Sequence, residues 1–186
     1  DKAGANAAAR FWWMLKSIGH ERVQVLDGGL KAAYDEAVPM DSVIPEKIPS
    51  DYTISNWNWP LVTMDKVIDV SKTNTQIIVD VRENYRYAGE SEPIDLIAGH
   101  IPNAINMPYI DNLDDAGKFK DVTTLNQLYQ ELFKGKAADE IIFHCGSGIT
   151  ACHSILACEE AGLGVPSLYV GSWSEWSRNN QDMILK

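Results

Sequence analysis

The stretch Ile141-Ile142-Phe143-His144-Cys145-Gly146-Ser147-Gly148-Ile149-Thr150-Ala151 decides how this chain reads. It opens as a short apolar strand, places a cysteine at the strand's end, runs through a loop of small residues and enters a helix. Backbone N–H groups of such a loop, together with the positive end of the following helix dipole, surround the sulfur and favour its thiolate. Gly146 and Gly148 let the backbone curl around that atom with no Cβ in the way. The competing reading is a buried structural cysteine at a strand end. Strand, small-residue loop and helix start coincide here, which favours the nucleophile.

Cysteine loops also serve phosphoryl transfer, where Cys-x5-Arg supplies an arginine that grips the phosphoryl group bidentately. Ala151 stands where that arginine would be, and the loop closes at Thr150. The phosphatase reading loses its main electrostatic clamp and is set aside.

Working outward, the 186 residues carry 16 basic and 26 acidic side chains, a formal charge of −10. That balance argues against a nucleic-acid partner and offers nothing to an anionic membrane. A small anionic substrate has to be drawn by local features and not by the global field. Three cysteines (Cys145, Cys152 and Cys158) without framework spacing point to a reducing, cytoplasmic setting. No zinc-type spacing occurs, and neither a metal nor a cofactor is expected. No apolar run reaches membrane-spanning length, and the start shows no signal-peptide pattern.

The tail of the chain has an echo at its front. Residues 7–20 read as a helix ending at Gly19, followed by a strand over Val23–Leu26, Asp27-Gly28-Gly29 and a helical stretch from Leu30 to Glu36. Residues 150–162 read as a helix ending at Gly162, followed by a strand over Ser167–Val170, Gly171-Ser172 and a helical tail. Gly19 and Gly28 both recur after 143 residues, which suggests an internal repeat. In that register Cys145 falls on Lys2, so the front copy has no nucleophile, and its counterpart of residues 55–144 is absent. The expected organisation is a partial, inactive copy over 1–36, a proline-rich linker over 37–60, and a catalytic unit over 61–186. Within that unit a helix is expected over Thr63–Val70 with Thr63 as its cap, a strand over Gln76–Asp80, a helix over Thr123–Phe133 and a strand over Glu140–His144. Alternating strands and helices predict an α/β domain with a mostly parallel central sheet flanked by helices, and Cys145 at a strand's carboxyl end lies where such folds bind ligands.

Taken with Asp80-Val81-Arg82-Glu83, Gly99-His100-Ile101-Pro102-Asn103-Ala104-Ile105-Asn106 and Tyr169-Val170-Gly171-Ser172-Trp173-Ser174-Glu175-Trp176, the cysteine loop resembles the rhodanese-type sulfurtransferases, over roughly residues 55–180. Its small side chains are more similar to the 3-mercaptopyruvate branch than to the thiosulfate branch. The resemblance implies a tandem protein with an inactive first domain and a catalytic second one, of which the front is missing here. It implies that Cys145 takes a sulfane sulfur from thiosulfate or 3-mercaptopyruvate, holds it as a persulfide, and passes it to cyanide, a thiol or a reduced thioredoxin-like protein. Gly146, Ser147, Gly148, Ile149 and Thr150 would form the anion and persulfide cradle, with the Ser147 and Thr150 hydroxyls able to donate and Thr150 also able to cap the helix. In the 3-mercaptopyruvate group the loop serine works with a His and an Asp of the first domain; His20 and Asp27 lie in no matching motif.

Arg86-Tyr87-Ala88-Gly89 resembles the family's R-F-x-G, which implies that Arg86 pairs with the donor's anionic oxygens. A planar, permanently charged fork suits that role. The second arginine often found in the family's E-P-R is replaced by Ile94, which leaves the donor open. Asp80 and Arg82 are expected to form a structural ion pair, and His100 to bond backbone. His144 is expected on the opposite side of its strand from Cys145 and so not as its base. Cys152 and Cys158 read as core, and the tryptophans as packing between elements. A non-catalytic binding module that uses the same cradle, or a redox-sensing thiol protein with Cys152 as partner, are the alternatives.

Overall fold

A computed structural model describes residues 6–49, 51–54 and 56–185, apart from the side chain of Gln181. Five short strands, β1 (Leu61–Val62), β2 (Ile77–Asp80), β3 (Ile105–Asn106), β4 (Ile141–His144) and β5 (Ser167–Tyr169), form one sheet in the order β1-β5-β4-β2-β3. Every pairing is parallel, so the expected α/β class is seen with a wholly parallel sheet. The central pair runs in register from Ile77 opposite Ile141 to Asp80 opposite His144.

Strands covered on both faces are apolar on both faces, and the side-chain period of two sorts them. Ile141, Phe143, Val79 and Leu168 enter one core with Cys145, under α1 (Asn6–Ser17), α5 (Val122–Phe133) and α6 (Ala151–Glu160). Ile142, Ile78 and Tyr169 enter the other, against Val67 and Val70 of α3 (Met64–Thr73) and Trp173 and Trp176 of α7 (Ser172–Asn179). The remaining helices are α2 (Gly29–Asp35) and α4 (Asn84–Tyr87).

Two expectations of capping are corrected. Thr63 does precede α3, but its hydroxyl makes no cap hydrogen bond. Thr150 has helical backbone angles and makes none either, because capping needs the extended backbone that turns the side chain over the first N–H groups. Asp121 does cap, accepting from the Thr124 N–H at the start of α5 at 3.1 Å.

The front segment is fastened to the second unit. Helix α1 packs on α6 and buries Ala9, Trp12 and Trp13 in the core that holds Cys145. Trp59 stands edge-on to Trp12 at 5.1 Å and to Trp13 at 6.1 Å, and Trp57 lies 5.9 Å from Trp13. The Asn58 N–H donates to the Ser17 carbonyl at 2.7 Å, so the end of the proline-rich stretch is docked while most of it is exposed.

The strand expected over Val23–Leu26 is not formed. Val23 and Val25 pack on the core, but Leu26 is exposed, and the segment pairs with no described strand. A strand is defined by a neighbour's ladder of hydrogen bonds, whatever its own β-propensity. The residues 143 further on contain β5, which has β1 on one side and β4 on the other. The same register carries α1 onto 149–160, where α6 lies, and α2 onto 172–178, where α7 lies.

Candidate active site

Cys145 sits at the carboxyl end of β4 and is almost fully buried. The loop after it is held from outside by its carbonyls. The Cys145 carbonyl accepts from the Trp173 N–H at 2.9 Å, and the Gly146 carbonyl from the Ser174 N–H at 2.8 Å, so the first turn of α7 grips the loop's start. The Gly148 carbonyl accepts from Arg10 Nη1 at 3.3 Å and from the Cys152 thiol at 3.4 Å. The Ile149 and Thr150 carbonyls accept from the N–H groups of Cys152 and His153 in α6. A trans peptide points its N–H opposite to its C=O. The tied carbonyls of Cys145, Gly146, Gly148 and Ile149 therefore leave the N–H groups of Gly146, Ser147, Ile149 and Thr150 directed away from those partners. The five N–H groups from Gly146 to Thr150 indeed make no hydrogen bond with any described residue. Unpartnered donors in succession form a nest for an anion.

Glycine is required at 148 on two counts. Its φ is +73°, and a Cβ there would lie 2.6 Å from the Val170 carbonyl oxygen. Ser172, itself at φ +54°, accepts from the Cys145 N–H at 3.2 Å and donates to the Tyr169 carbonyl at 2.8 Å. The sequence signals this latch only by the resemblance of residues 169–176 to a family signature, which does not say what the run touches. Ser147 and Ile149 are exposed at the mouth.

Arg86, on α4, lies against the loop: a Cβ built on Gly146 would be 3.5 Å from Arg86 Nη2 and 3.5 Å from Asp95 Oδ2. The guanidinium is nearly buried and heavily paired. Its Nε donates to Glu92 at 3.0 Å, its Nη2 is 2.8 Å from Glu92 and 3.2 Å from Asp95, and its Nη1 reaches Glu83 at 3.4 Å. Burial works against its charge, but Glu92 and Glu83 outweigh burial and raise its pKa. Asp95 also accepts from Ser174 of α7. Ile94 beside them is 73% exposed, so the position contributes no second cation.

Asp80 and Arg82 form the expected ion pair, buried and bidentate: Nε to Oδ1 is 3.0 Å and Nη2 to Oδ2 is 2.6 Å. Arg82 also donates to Glu92 at 3.1 Å and to the Gly99 carbonyl at 2.7 Å, and its guanidinium lies 4.4 Å from the Trp173 ring centre. Glu92 thus bridges Arg82 and Arg86. His100 donates from Nδ1 to the Tyr87 carbonyl at 2.9 Å, as expected of a backbone-bonding histidine. His144 is buried near Asp80 and Tyr169, away from the core that holds Cys145. Burial lowers its pKa and so weakens it as a base, and its place on the opposite face of the sheet keeps it from the Cys145 thiol. Burial pushes the Cys152 thiol up to about 12, which makes it a poor nucleophile for a redox partnership with Cys145. A separate cleft of about 770 Å³, between Val23–Asp27, Phe119–Val122 and the end of α6, includes none of these groups.

Comparison with known proteins decides what this arrangement belongs to. The model of the rhodanese-like domain matches residues 63–179, from the start of α3 to the end of α7. The chain belongs to the rhodanese family. A probable 3-mercaptopyruvate sulfurtransferase of Pseudomonas aeruginosa is 38% identical over 176 residues, covering 91% of this chain and 60% of that protein. A thiosulfate sulfurtransferase of Mus musculus is 33% identical over 181 residues, 96% of this chain and 61% of its own length. Among solved structures, a 3-mercaptopyruvate sulfurtransferase from Leishmania major superposes with a TM-score of 0.77 at 30% identity, covering 95% of this chain and 49% of the other. This rhodanese-family chain thus spans about 60% of the length of the curated relatives it matches. Its relatives include proteins named for each of the two donors. No helix among the described residues is long and apolar enough to cross a membrane.

Proposed function

We propose that this chain carries the catalytic unit of a sulfurtransferase in which Cys145 accepts a sulfane sulfur from thiosulfate or 3-mercaptopyruvate. The observation that carries the proposal is the run of five unpartnered N–H groups, Gly146 to Thr150, following a cysteine at a strand's carboxyl end. In the first half-reaction the Cys145 thiolate attacks the donor's outer sulfur. The donor's bond to that sulfur breaks, and its electron pair leaves with sulfite or with the enolate of pyruvate, which then takes a proton. In the second, cyanide or a thiolate attacks the outer sulfur of the Cys145 persulfide and the Cys145 thiolate leaves, giving thiocyanate or an acceptor persulfide, from which a second thiolate displaces sulfide as a disulfide forms. Both halves carry negative charge on sulfur, which preorganised N–H donors stabilise. Gly146, Ser147, Gly148, Ile149 and Thr150 serve as that cradle. A reduced thioredoxin-like protein is a suitable thiol acceptor, and three unpaired cysteines fit a cytoplasmic setting. Residues 1–36 are read as the end of an inactive copy, 37–60 as linker and 61–186 as the catalytic unit. The matching positions of α1 with α6 and of α2 with α7 support that division.

Incubation with each donor and either cyanide or a thiol tests the proposal. Formation of thiocyanate or sulfide from at least one donor is expected; turnover of neither overturns it.

Arg86 is assigned to donor binding through Nη1, whose partner Glu83 is its longest contact and is 45% exposed. An incoming anion displaces that carboxylate most easily. In Arg86→Ala the donor loses a charge-assisted contact, and Glu92 and Asp95 are left unneutralised beside the loop. The donor KM should rise by the equivalent of about 1.5–3 kcal/mol, with a smaller change in kcat. An unchanged KM in steady-state kinetics removes Arg86 from the donor site.

A further inference from the structure

We propose that Arg10, on α1 of the front segment, is a positioning residue for the Cys145 loop: it holds the Gly148 carbonyl so that the Ile149 N–H faces the reacting sulfur. The inference rests on the sulfur-transfer reading and names a residue outside the matched domain, 138 positions away from the loop it touches.

The geometry is a clamp with three jaws. Arg10 Nη1 donates to the Gly148 oxygen at 3.3 Å and lies 3.7 Å from Cys152 Sγ. The Cys152 thiol donates to the same oxygen at 3.4 Å, and its burial keeps it protonated and therefore a donor. From the far side the Val170 backbone closes against Gly148, leaving no room even for a Cβ. The Gly148–Ile149 peptide is planar, so fixing its carbonyl on Arg10 and Cys152 fixes the Ile149 N–H in the opposite direction. Gly148 holds φ +73°, and a glycine backbone can take more than one conformation unless its neighbours fix it. Without a tether this peptide can turn over and present a carbonyl oxygen to the sulfur anion in place of a donor.

Arg10 is itself held. Its guanidinium carbon is 5.5 Å from the Trp13 ring centre, and Trp13 is buried between Trp57 and Trp59. A cation on an aromatic face keeps its orientation while its N–H edges stay available. The neighbouring loop carbonyls, of Cys145 and Gly146, are held by α7 from within the matched domain. Among the described residues, only the Gly148 carbonyl of the loop takes a donor from the front segment, and Arg10 supplies it.

Arg10→Met keeps the length of the stem on Trp13 and removes the donors; Arg10→Lys restores one. The measurements are kcat and KM with the better sulfur donor, the rate of Cys145 alkylation by iodoacetamide at neutral pH, and the amide signal of Ile149 in a nitrogen–proton correlation spectrum. Removing an oxyanion donor outright costs about 10²–10³ in kcat, and loosening one costs less. In Arg10→Met we expect kcat to fall about tenfold with KM within about twofold, alkylation to slow, and the Ile149 signal to move; Arg10→Lys should recover most of kcat. A methionine variant with kcat within about twofold of the parent and an unmoved Ile149 signal overturns the assignment. If the parent protein transfers no sulfur, the sulfur-transfer reading fails by itself. Alkylation and the Ile149 signal then still decide Arg10, and the absence of change in both overturns it.

Discussion

Cys145→Ser is expected to lose sulfur transfer from either donor by at least about a thousandfold while the protein stays folded. Serine's oxygen is a weak nucleophile toward sulfur and cannot carry the sulfane sulfur as a persulfide, so both half-reactions are lost together. The fold should not notice. Residue 145 is anchored by its backbone, through the N–H to Ser172 and the C=O to the Trp173 N–H, and the substitution leaves both in place. Thiocyanate formation with cyanide as acceptor is the readout, with circular dichroism and thermal unfolding as controls. A folded serine variant that keeps more than about a tenth of the parent's turnover contradicts the role given to Cys145.

The second large effect is on stability. Asp80→Ala removes the carboxylate that meets the buried Arg82 bidentately and also receives its backbone N–H at 3.0 Å. Breaking one side of a buried pair costs about 3–5 kcal/mol, because the remaining charge is left without compensation. That is a large part of the 5–15 kcal/mol or so by which a domain of this size is stable. Glu92 and the Gly99 carbonyl still receive Arg82, which places the expected loss toward the lower end of that range. Urea unfolding should show the midpoint falling with little change in slope; an unchanged midpoint contradicts the account of this network.

The same network contributes to the acid limb of stability. Burial alone would raise the Asp80 carboxyl, but neighbouring charge and the Arg82 hydrogen bonds bring it below the usual value. His144 is neutral at ordinary pH, so Arg82 is the partner that counts. Glu92 is likewise lowered: burial opposes this, and its hydrogen bonds from Arg86 and from the Asp95 and Ile94 N–H groups outweigh it. A carboxyl whose pKa is lower folded than unfolded stabilises fully above its unfolded value and loses that contribution as pH falls through its folded value. Below about pH 4, where these two carboxyls protonate, the parent should lose stability more steeply than Asp80→Ala, on top of the loss that His144 and His153, both lowered by burial, add from about pH 6.5 downward.

Much of this site was legible because it is local. The apolar run before Cys145, the paired glycines after it and the helix formers that follow lie within eleven residues, and β4, the loop and α6 form where those residues say. The buried Asp80–Arg82 pair, the backbone-bonding His100 and the opposed faces of His144 and Cys145 follow from strand geometry and short spacings. What escaped the reading is set by tertiary contact. Ser172, Trp173 and Ser174 grip a loop 27 or 28 positions earlier, and nothing in their composition says which of its N–H and C=O groups they meet. Arg86 is an arginine suited to an anion by type, but the sequence does not show that Glu92, Asp95 and Glu83 converge on it. Val23–Leu26 has strand-forming residues and no described neighbour to pair with. Thr150 has a capping side chain on a helical backbone that does not use it, and Thr63, on an extended backbone, makes no cap hydrogen bond either. Arg10 had no local signal at all, since its partner is contributed by the other end of the chain.

Mass analysis of the Cys145 peptide after incubation with thiosulfate or 3-mercaptopyruvate, with no acceptor present, tests the central claim most directly. The account predicts that Cys145 gains the mass of one sulfur atom and returns to its original mass when cyanide is added. No added sulfur on Cys145 from either donor, or sulfur carried on Cys152 or Cys158 in its place, contradicts it.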